Sequence, residues 1–346
     1  MPAERAIRFG YWMPVFGGWL RNVDDEKMHA TWEYTRRVAQ RSEQIGFDLS
    51  LIAELNLNDI KGIDAPSLDA WSTAAALAAV TQTLELMVAV RPTFHSPALF
   101  AKQAANIDHI SNGRLALNVV SSWWEQEARM YGVDFERHDD RYGRTAEWLE
   151  VVNGLWSHKT YSHSGRYYRT QETVLEPKPV RTPRPPIYAG GESEAAKDLI
   201  ARTCDAYVMH GDSPAHVAAK IADMNERRNR LGLGRMTFGV AGYACTRDTD
   251  REVKQELERI TNVRENAKGY ANYQQWLEGT QLEHSMSIEE YSVSNRGLRS
   301  GLVGTPAGIQ DQVGRFAAAG VDLLLLQFSP QLEEMERFSD RVIGRA

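Results

Sequence analysis

The sequence predicts an α/β chain folded as a (β/α)8 TIM barrel, and three observations predict it. Short apolar runs recur along the chain, most of them followed by an amphipathic stretch of helical period, which is the pattern of a parallel sheet wrapped by helices. The last run, LLLLQF, is apolar at consecutive positions, as expected for a strand covered on both faces. No glycine-rich phosphate loop follows the first run. There YWMPVFGGWL offers only Gly17–Gly18, which does not fit G-x-G-x-x-G, so an open doubly wound sheet is the weaker alternative.

Taken in order, strands are expected at Ala6–Met13, Phe47–Ala53, Leu84–Val90, Leu115–Val120, Pro186–Ala189, Ala206–His210, Thr237–Thr246 and Leu323–Phe328. The helices between them are expected at His29–Ile45, Ser67–Val80, Pro97–Ile110, Arg141–Ser157, Glu194–Thr203 and Pro214–Leu231. The first of these ends at Gly46 and the third near Gly113, where a chain leaving a helix favours glycine. Two stretches break the alternation. Tyr161–Pro186 holds a hairpin around SGRYYR and then the proline-punctuated EPKPVRTPRPP, and about Asn262 to Ser300 is polar and weakly periodic. They read as insertions near 158–186 and 262–300, after the fourth and seventh strands of a single barrel domain spanning 1–346. Such excursions serve either as lids over a barrel site or as surface and subunit contacts.

Composition narrows the function. The chain of 346 residues, 42 % hydrophobic and 25 % charged, suits one large α/β domain. A net charge of -6 without a basic stripe argues against nucleic acid as a partner. Cys204 and Cys245 are the only cysteines and lack C-x-x-C spacing, which suits a reduced, cytoplasmic chain without a thiolate metal site. The opening MPAERAIRFGYWMP lacks the apolar core of a signal peptide, and no apolar run reaches about 18 residues, so no membrane association is expected. The nine histidines show neither H-x-x-x-H nor H-E-x-x-H, and no G-x-S-x-G elbow exists. No metal site and no hydrolase nucleophile are expected.

A barrel places its site at the C-terminal ends of its strands. After the fourth strand, Asn118 offers a donor and an acceptor to a flavin-like ring edge, and Trp123 or Trp124 offers a stacking face or a wall against water. The alternative for the tryptophans is core packing. His138-Asp139-Asp140-Arg141-Tyr142 reads as a helix start, with Asp139 or Asp140 as N-cap and with an arginine and a phenol suited to a phosphate or ribityl group. Ala189-Gly190-Gly191-Glu192-Ser193 opens a helix after the fifth strand, where two glycines let backbone N–H groups approach an anion. Aromatic walls, anion donors and a missing metal point to an organic cofactor. For acid–base work the candidates are His95, His138 and Tyr243.

Five strings occur in the order found in luciferase-like flavin monooxygenases: KQAANIDHISNGRLALNVVSSWWEQE, HDDRYGRTAEWLEVVNGLW, YSHSGRYYR, EPKPVRTPRPPIYAGGESEAA and GLVGTPAGIQDQV. The resemblance runs from Phe9 to about Val342. Within that family the chain is most similar to FMNH2-dependent dimethyl sulfone monooxygenases, with alkanesulfonate monooxygenases and pyrimidine oxygenases as relatives. The resemblance implies a barrel enzyme that takes reduced FMN and O2 through a C4a-peroxyflavin to oxygenate a small organosulfur compound, with C–S cleavage. It also implies a separate NAD(P)H-dependent flavin reductase and a homodimer or homotetramer. Asn118, Glu127, Arg141, Tyr142 and Ser193 match FMN-contacting positions, Gly190 and Gly191 the phosphate turn, and Ala53 and Glu54 positions beside the isoalloxazine.

One departure bears on the substrate. Alkanesulfonate monooxygenases carry an arginine and a histidine on the seventh strand where this chain has Ala241 and Tyr243. A sulfonate loses its charge partner there unless Arg91, Arg296 or Arg299 replaces it, and Arg296 is the candidate catalytic arginine. A neutral substrate is therefore favoured, in a pocket lined by Tyr11, Trp12, Phe16, Trp19, Phe94 and Trp124. Two other functions compete: an F420-dependent hydride-transfer enzyme on the same fold, and a flavin-binding protein without turnover.

Overall fold

The computed structural model describes residues 7–263, 268–279 and 286–345. In chain order its elements are β1 (Arg8–Trp12), α1 (Trp32–Gln44), β2 (Leu49–Ile52), α2 (Ala70–Val80), β3 (Glu85–Val90), α3 (Pro97–Ser111), β4 (Leu115–Val119), α4 (Glu125–Met130) and α5 (His138–Ser157). Then come the hairpin β5 (Tyr161–Ser164) and β6 (Arg169–Thr173), followed by β7 (Ile187–Ala189), α6 (Glu194–Thr203), β8 (Ala206–Met209), α7 (Pro214–Arg230), β9 (Thr237–Tyr243), β10 (Cys245–Thr246) and α8 (Asp250–Thr261). The chain closes with α9 (Tyr273–Gly279), α10 (Ile288–Tyr291), β11 (Val303–Gly304), α11 (Pro306–Ala318), β12 (Leu323–Gln327) and α12 (Gln331–Arg341).

Eight strands close into a parallel barrel in the order β1-β12-β9-β8-β7-β4-β3-β2. Because side chains alternate across each strand, the barrel has two packed layers. Leu49, Leu51, Met87, Ala116, Tyr188, Ala206, Leu323 and Leu325 form a separate core cluster inside the barrel. Their neighbours in sequence, such as Leu86, Val88, Leu117, Leu324 and Leu326, join the main core beneath the helices. That double burial explains why LLLLQF carries no alternation. Thr31, Asp69, Ser193, Ser213, Thr249 and Thr305 each cap the helix they precede by accepting a backbone N–H.

The structure corrects two expectations. The seventh barrel strand does not run unbroken from Thr237 to Thr246. It stops at Tyr243, and β10 leaves the barrel to pair with β11, Cys245 opposite Val303. Neither Asp139 nor Asp140 caps α5: the helix starts at His138 with Arg137 as its cap, so Arg141 and Tyr142 already lie inside it. The side chains of His138 and Asp139 lie outside the described residues.

The described residues between α8 and β11 include several that meet the barrel mouth. Leu20 and Val293 form an isolated antiparallel bridge, and Arg21 Nη1 donates to the Gly269 carbonyl at 2.9 Å. Two glycines permit close approach: a Cβ at Gly211 would lie 2.4 Å from the Arg296 carbonyl, and one at Gly297 would lie 2.8 Å from the Tyr243 nitrogen. Among the described residues no helix is long and apolar enough to cross a membrane.

Candidate active site

At the C-terminal mouth of the barrel lies a cavity of about 320 Å³, within the range of about 300–1,000 Å³ common for small-molecule sites. Every barrel strand contributes to its wall at or just beyond its end: Trp12, Ala53, Arg91, Asn118, Gly190, Met209, Ala241 and Gln327 all line it. One layer above the apolar floor, several inward positions hold small residues, among them Ala53, Ala89, Gly190 and Ala241. Their small size leaves the mouth open where the Leu and Met layer below is filled.

One side of this wall is built for an anion. Ser193 Oγ caps α6 by accepting the Ala196 N–H at 3.2 Å, so the positive end of that helix faces the Gly190–Gly191 turn. The turn has no room for side chains. A Cβ at Gly190 would meet the Val208 carbonyl at 2.7 Å, and one at Gly191 the Ala196 Cβ at 2.6 Å. Tyr207 fixes the turn by donating its hydroxyl to the Gly191 carbonyl at 2.8 Å. Arg141 and Tyr142 reach the same wall from α5, with Arg141 Nη1 on the Glu136 carbonyl at 2.8 Å and its guanidinium over Phe135. Asn118, inward from β4, supplies a carboxamide to the cavity beside this cradle. These groups fit a flavin mononucleotide: backbone N–H groups and an arginine for the phosphate, a donor–acceptor amide for the ring edge.

Eight of the expected residues thus share one cavity: Ala53, Glu54, Asn118, Arg141, Tyr142, Gly190, Gly191 and Ser193. The other four stand behind its wall. Glu127 is fully buried and ion-paired with Arg91, one contact being Nη2 to Oε1 at 3.0 Å. It reaches the site through Arg91. His95 Nε2 lies 2.6 Å from Glu54 Oε1, so the histidine touches the site through a carboxylate that lines it. Glu54 is held in turn by the Arg91 N–H at 2.8 Å. Tyr243 sits in a satellite core with Leu20, Cys245, Ile260 and Val293, and burial pushes its hydroxyl well above the ordinary range. That hydroxyl keeps its proton throughout the physiological range, which does not suit a base. Arg296 is 1 % exposed, adopts φ 53°, and is ion-paired with Glu192, whose carboxylate also holds Lys220 Nζ at 2.9 Å. Glu192 lines the cavity and Arg296 does not.

Of the expected aromatic lining, Trp12, Phe16 and Trp19 are in the wall. Tyr11 points the other way, its hydroxyl 3.0 Å from Ser42 Oγ. Phe94 lies under the Arg91 guanidinium, and Trp124 is stacked behind Trp123 with ring centroids 5.4 Å apart. Sequence reading missed Arg21, Asp59, Tyr291, Ser294 and Gln327, all of which line the cavity. Gln327 had a signal in the sequence, as the polar residue that ends an apolar run. Tyr291 and Ser294 had none, since they enter from the excursion after α8, where no periodicity predicts which face turns inward.

Comparison with known proteins agrees with this geometry. The model of the luciferase-like monooxygenase family matches residues 7–323. An FMNH2-dependent dimethylsulfone monooxygenase of Pseudomonas putida is 32 % identical over 348 residues, covering 98 % of this chain and 95 % of its own. One from Pseudomonas fluorescens (strain Pf0-1) is also 32 % identical, over 99 % of this chain and 94 % of its own. Among solved structures, a long-chain alkane monooxygenase superposes with a TM-score of 0.84 at 19 % identity, covering 99 % of this chain and 91 % of its own, a likeness of fold.

Proposed function

On the premise that this chain belongs to the luciferase-like monooxygenase family, we propose that it binds reduced FMN and uses O2 to oxygenate a small, neutral organosulfur compound. Reduced FMN, when bound, supplies the electrons that activate O2, placing one oxygen atom in the substrate and the other in water. A separate NAD(P)H-dependent flavin reductase regenerates it. The protein's share is to hold, orient and keep dry. The Gly190–Gly191 turn, the start of α6 and Arg141 take the phosphate, and Asn118 sets the ring edge. Trp12, Phe16, Trp19 and Tyr291 exclude water from the reacting face. Glu54, with His95 hydrogen-bonded behind it, places a carboxyl group at the cavity edge.

One observation carries the neutral substrate. Each of the three arginines proposed as replacements for the missing sulfonate partner is already matched: Arg91 with Glu127, Arg296 with Glu192, and Arg299 with Glu290, Nη2 to Oε2 at 2.8 Å. Arg21, which does line the cavity, is held by Asp59 at 2.6 Å. An anionic head would have to break a buried pair to gain a cation, which is costly. A sulfone asks for none. Oxygenation at a carbon next to its sulfonyl group gives an α-hydroxy sulfone. Its C–S bond then breaks with the electron pair leaving on sulfur, while the hydroxyl loses its proton, yielding a sulfinate and a carbonyl compound.

The test is anaerobic mixing of the protein and photoreduced FMN with oxygenated buffer, with and without dimethyl sulfone, assaying formaldehyde. Formaldehyde formed in step with substrate-dependent O2 uptake is the expected result. Reoxidation at the rate of free reduced FMN, with no formaldehyde, overturns the proposal.

A further inference from the structure

Gln327 ends β12, two residues beyond Leu325 and four beyond Leu323, both of which face the barrel interior. It therefore continues the inward face, in the cavity wall, and it is only 1 % exposed. Among the described residues neither its Nε2 nor its Oε1 has a hydrogen-bond partner. A buried carboxamide left unpaired destabilises the fold, so such a group needs an explanation outside the folded chain. Its neighbour shares the condition. The register that pairs Tyr11 with Leu326 brings Trp12 and Gln327 to the ends of adjacent strands, and Trp12 Nε1 is also buried with no partner among the described residues. Two donors and one acceptor are thus stranded at one place in the wall.

This place is far from the anion cradle. Around the closed barrel, β12 stands four strands from β4, which bears Asn118, and β1 stands four strands from β7, which leads into Gly190. Trp12 and Gln327 consequently face the cofactor-holding residues across the mouth. Trp19 meets the Trp12 ring edge-on at 6.3 Å, and Arg21, which lines the same cavity, is matched by Asp59.

We propose that Gln327, together with Trp12, is the specificity-determining hook for the substrate's head group. The assignment rests on the sulfonyl reading above. Gln327 Nε2 and Trp12 Nε1 donate to the two oxygens of a neutral sulfonyl group, whose carbon substituents lie against the Trp12, Phe16 and Trp19 rings. Gln327 Oε1 accepts an N–H where the head group has one, so a primary sulfonamide makes one bond more than a sulfone. A sulfonate turns a third, charged oxygen toward that same acceptor and is disfavoured.

The experiment compares wild type, Gln327→Leu and Trp12→Phe in the complete system of protein, FMN, reductase and O2. It measures KM for dimethyl sulfone, inhibition by methanesulfonamide and methanesulfonate, reduced-FMN affinity and Tm. Gln327→Leu is expected to raise KM about tenfold without lowering Tm, because leucine fills the volume and removes the stranded amide. Trp12→Phe is expected to raise KM by a similar factor. Wild type should prefer methanesulfonamide over methanesulfonate by about tenfold or more, a preference that Gln327→Leu abolishes. A lowered Tm with unchanged KM makes Gln327 structural, and weakened reduced-FMN binding with unchanged KM assigns it to the flavin; either overturns the hook. Wild-type turnover of dimethyl sulfone with indifferent variants defeats this assignment alone. A wild type that neither turns over nor binds any of the three compounds defeats the sulfonyl reading as well.

Discussion

Arg296, buried in the excursion after α8, places its guanidinium on the carboxylate of Glu192 in the turn after β7. The pair joins a segment far along the chain to the turn that carries the anion cradle, and Lys220 from α7 shares the same carboxylate. Removing one side of a buried pair leaves the other charge uncompensated, and here the two sides are unequal. Glu192→Leu strands the Arg296 guanidinium and leaves Lys220 only Asp212, at 3.8 Å, and is expected to cost about 3–5 kcal/mol. Arg296→Met leaves Glu192 its lysine and keeps the same side-chain cost at the positive φ, so it should cost less. Urea unfolding of both variants checks the order, and equal losses would mean that Lys220 contributes nothing.

Ser193 has two duties that one substitution can separate. Its hydroxyl caps α6, so Ser193→Ala should lose about 1 kcal/mol of stability. It also lines the cavity beside the proposed phosphate cradle, so the same change should weaken FMN binding several-fold while leaving riboflavin, which has no phosphate, nearly unaffected. Fluorescence titrations with the two flavins decide it. Equal losses for both would place the phosphate elsewhere.

Asn118→Ala should weaken reduced-FMN binding by about tenfold, the loss of one or two buried hydrogen bonds. Little change in the thermal melt is expected, because the side chain faces the cavity. A sharply lower Tm with flavin affinity intact would make Asn118 a structural residue.

Away from the site, Glu43 gives a pH-dependent test of the barrel's other end. Its Oε1 accepts the N–H groups of Gln82 at 2.8 Å and Leu84 at 2.7 Å, with Thr83 between them, and so fixes the loop into β3. Burial pulls this carboxyl upward, but the N–H groups outweigh burial and hold it below its ordinary value. A depressed carboxylate stabilises the fold above the unfolded-state value of about 4.3 and loses that contribution as pH falls through the folded-state value. Glu43→Gln should therefore show a smaller loss of stability than wild type between about pH 5 and pH 3. Urea midpoints across that range provide the measurement, and parallel curves would count against the role.

The barrel was legible in the sequence because its signals are local. Apolar runs, hydroxyl caps and glycine-ended helices each lie within a few residues, and the eight barrel strands fall inside their predicted bounds, whereas β11 (Val303–Gly304) was not predicted. The break at Tyr243 was not legible, because the chain departs there to pair with Val303, far downstream. The residues proposed to hold the cofactor could be grouped from the sequence for a similar reason: Gly190, Gly191 and Ser193 lie within four positions, and Arg141 with Tyr142 are neighbours near the start of one helix. The opposite side was not. Trp12, Tyr291 and Gln327 come from the beginning, the late excursion and the end of the chain, and only closure of the barrel brings them together. Residue identity also misled where alternation decides direction. Tyr11 and Trp12 are equally aromatic, and one faces α1 while the other faces the cavity.

The matched arginines have a consequence for what leaves the site. Under the proposed reaction, a neutral sulfone would enter a cavity whose cations on the substrate side are taken, and cleavage would turn it into an anion. The sulfinate would then stand where Arg21 belongs to Asp59 and Arg91 to Glu127, with no counter-ion among the described residues on that side to detain it. The same pairing that admits an uncharged molecule would thus eject a charged one, and each turnover would empty the pocket for the next.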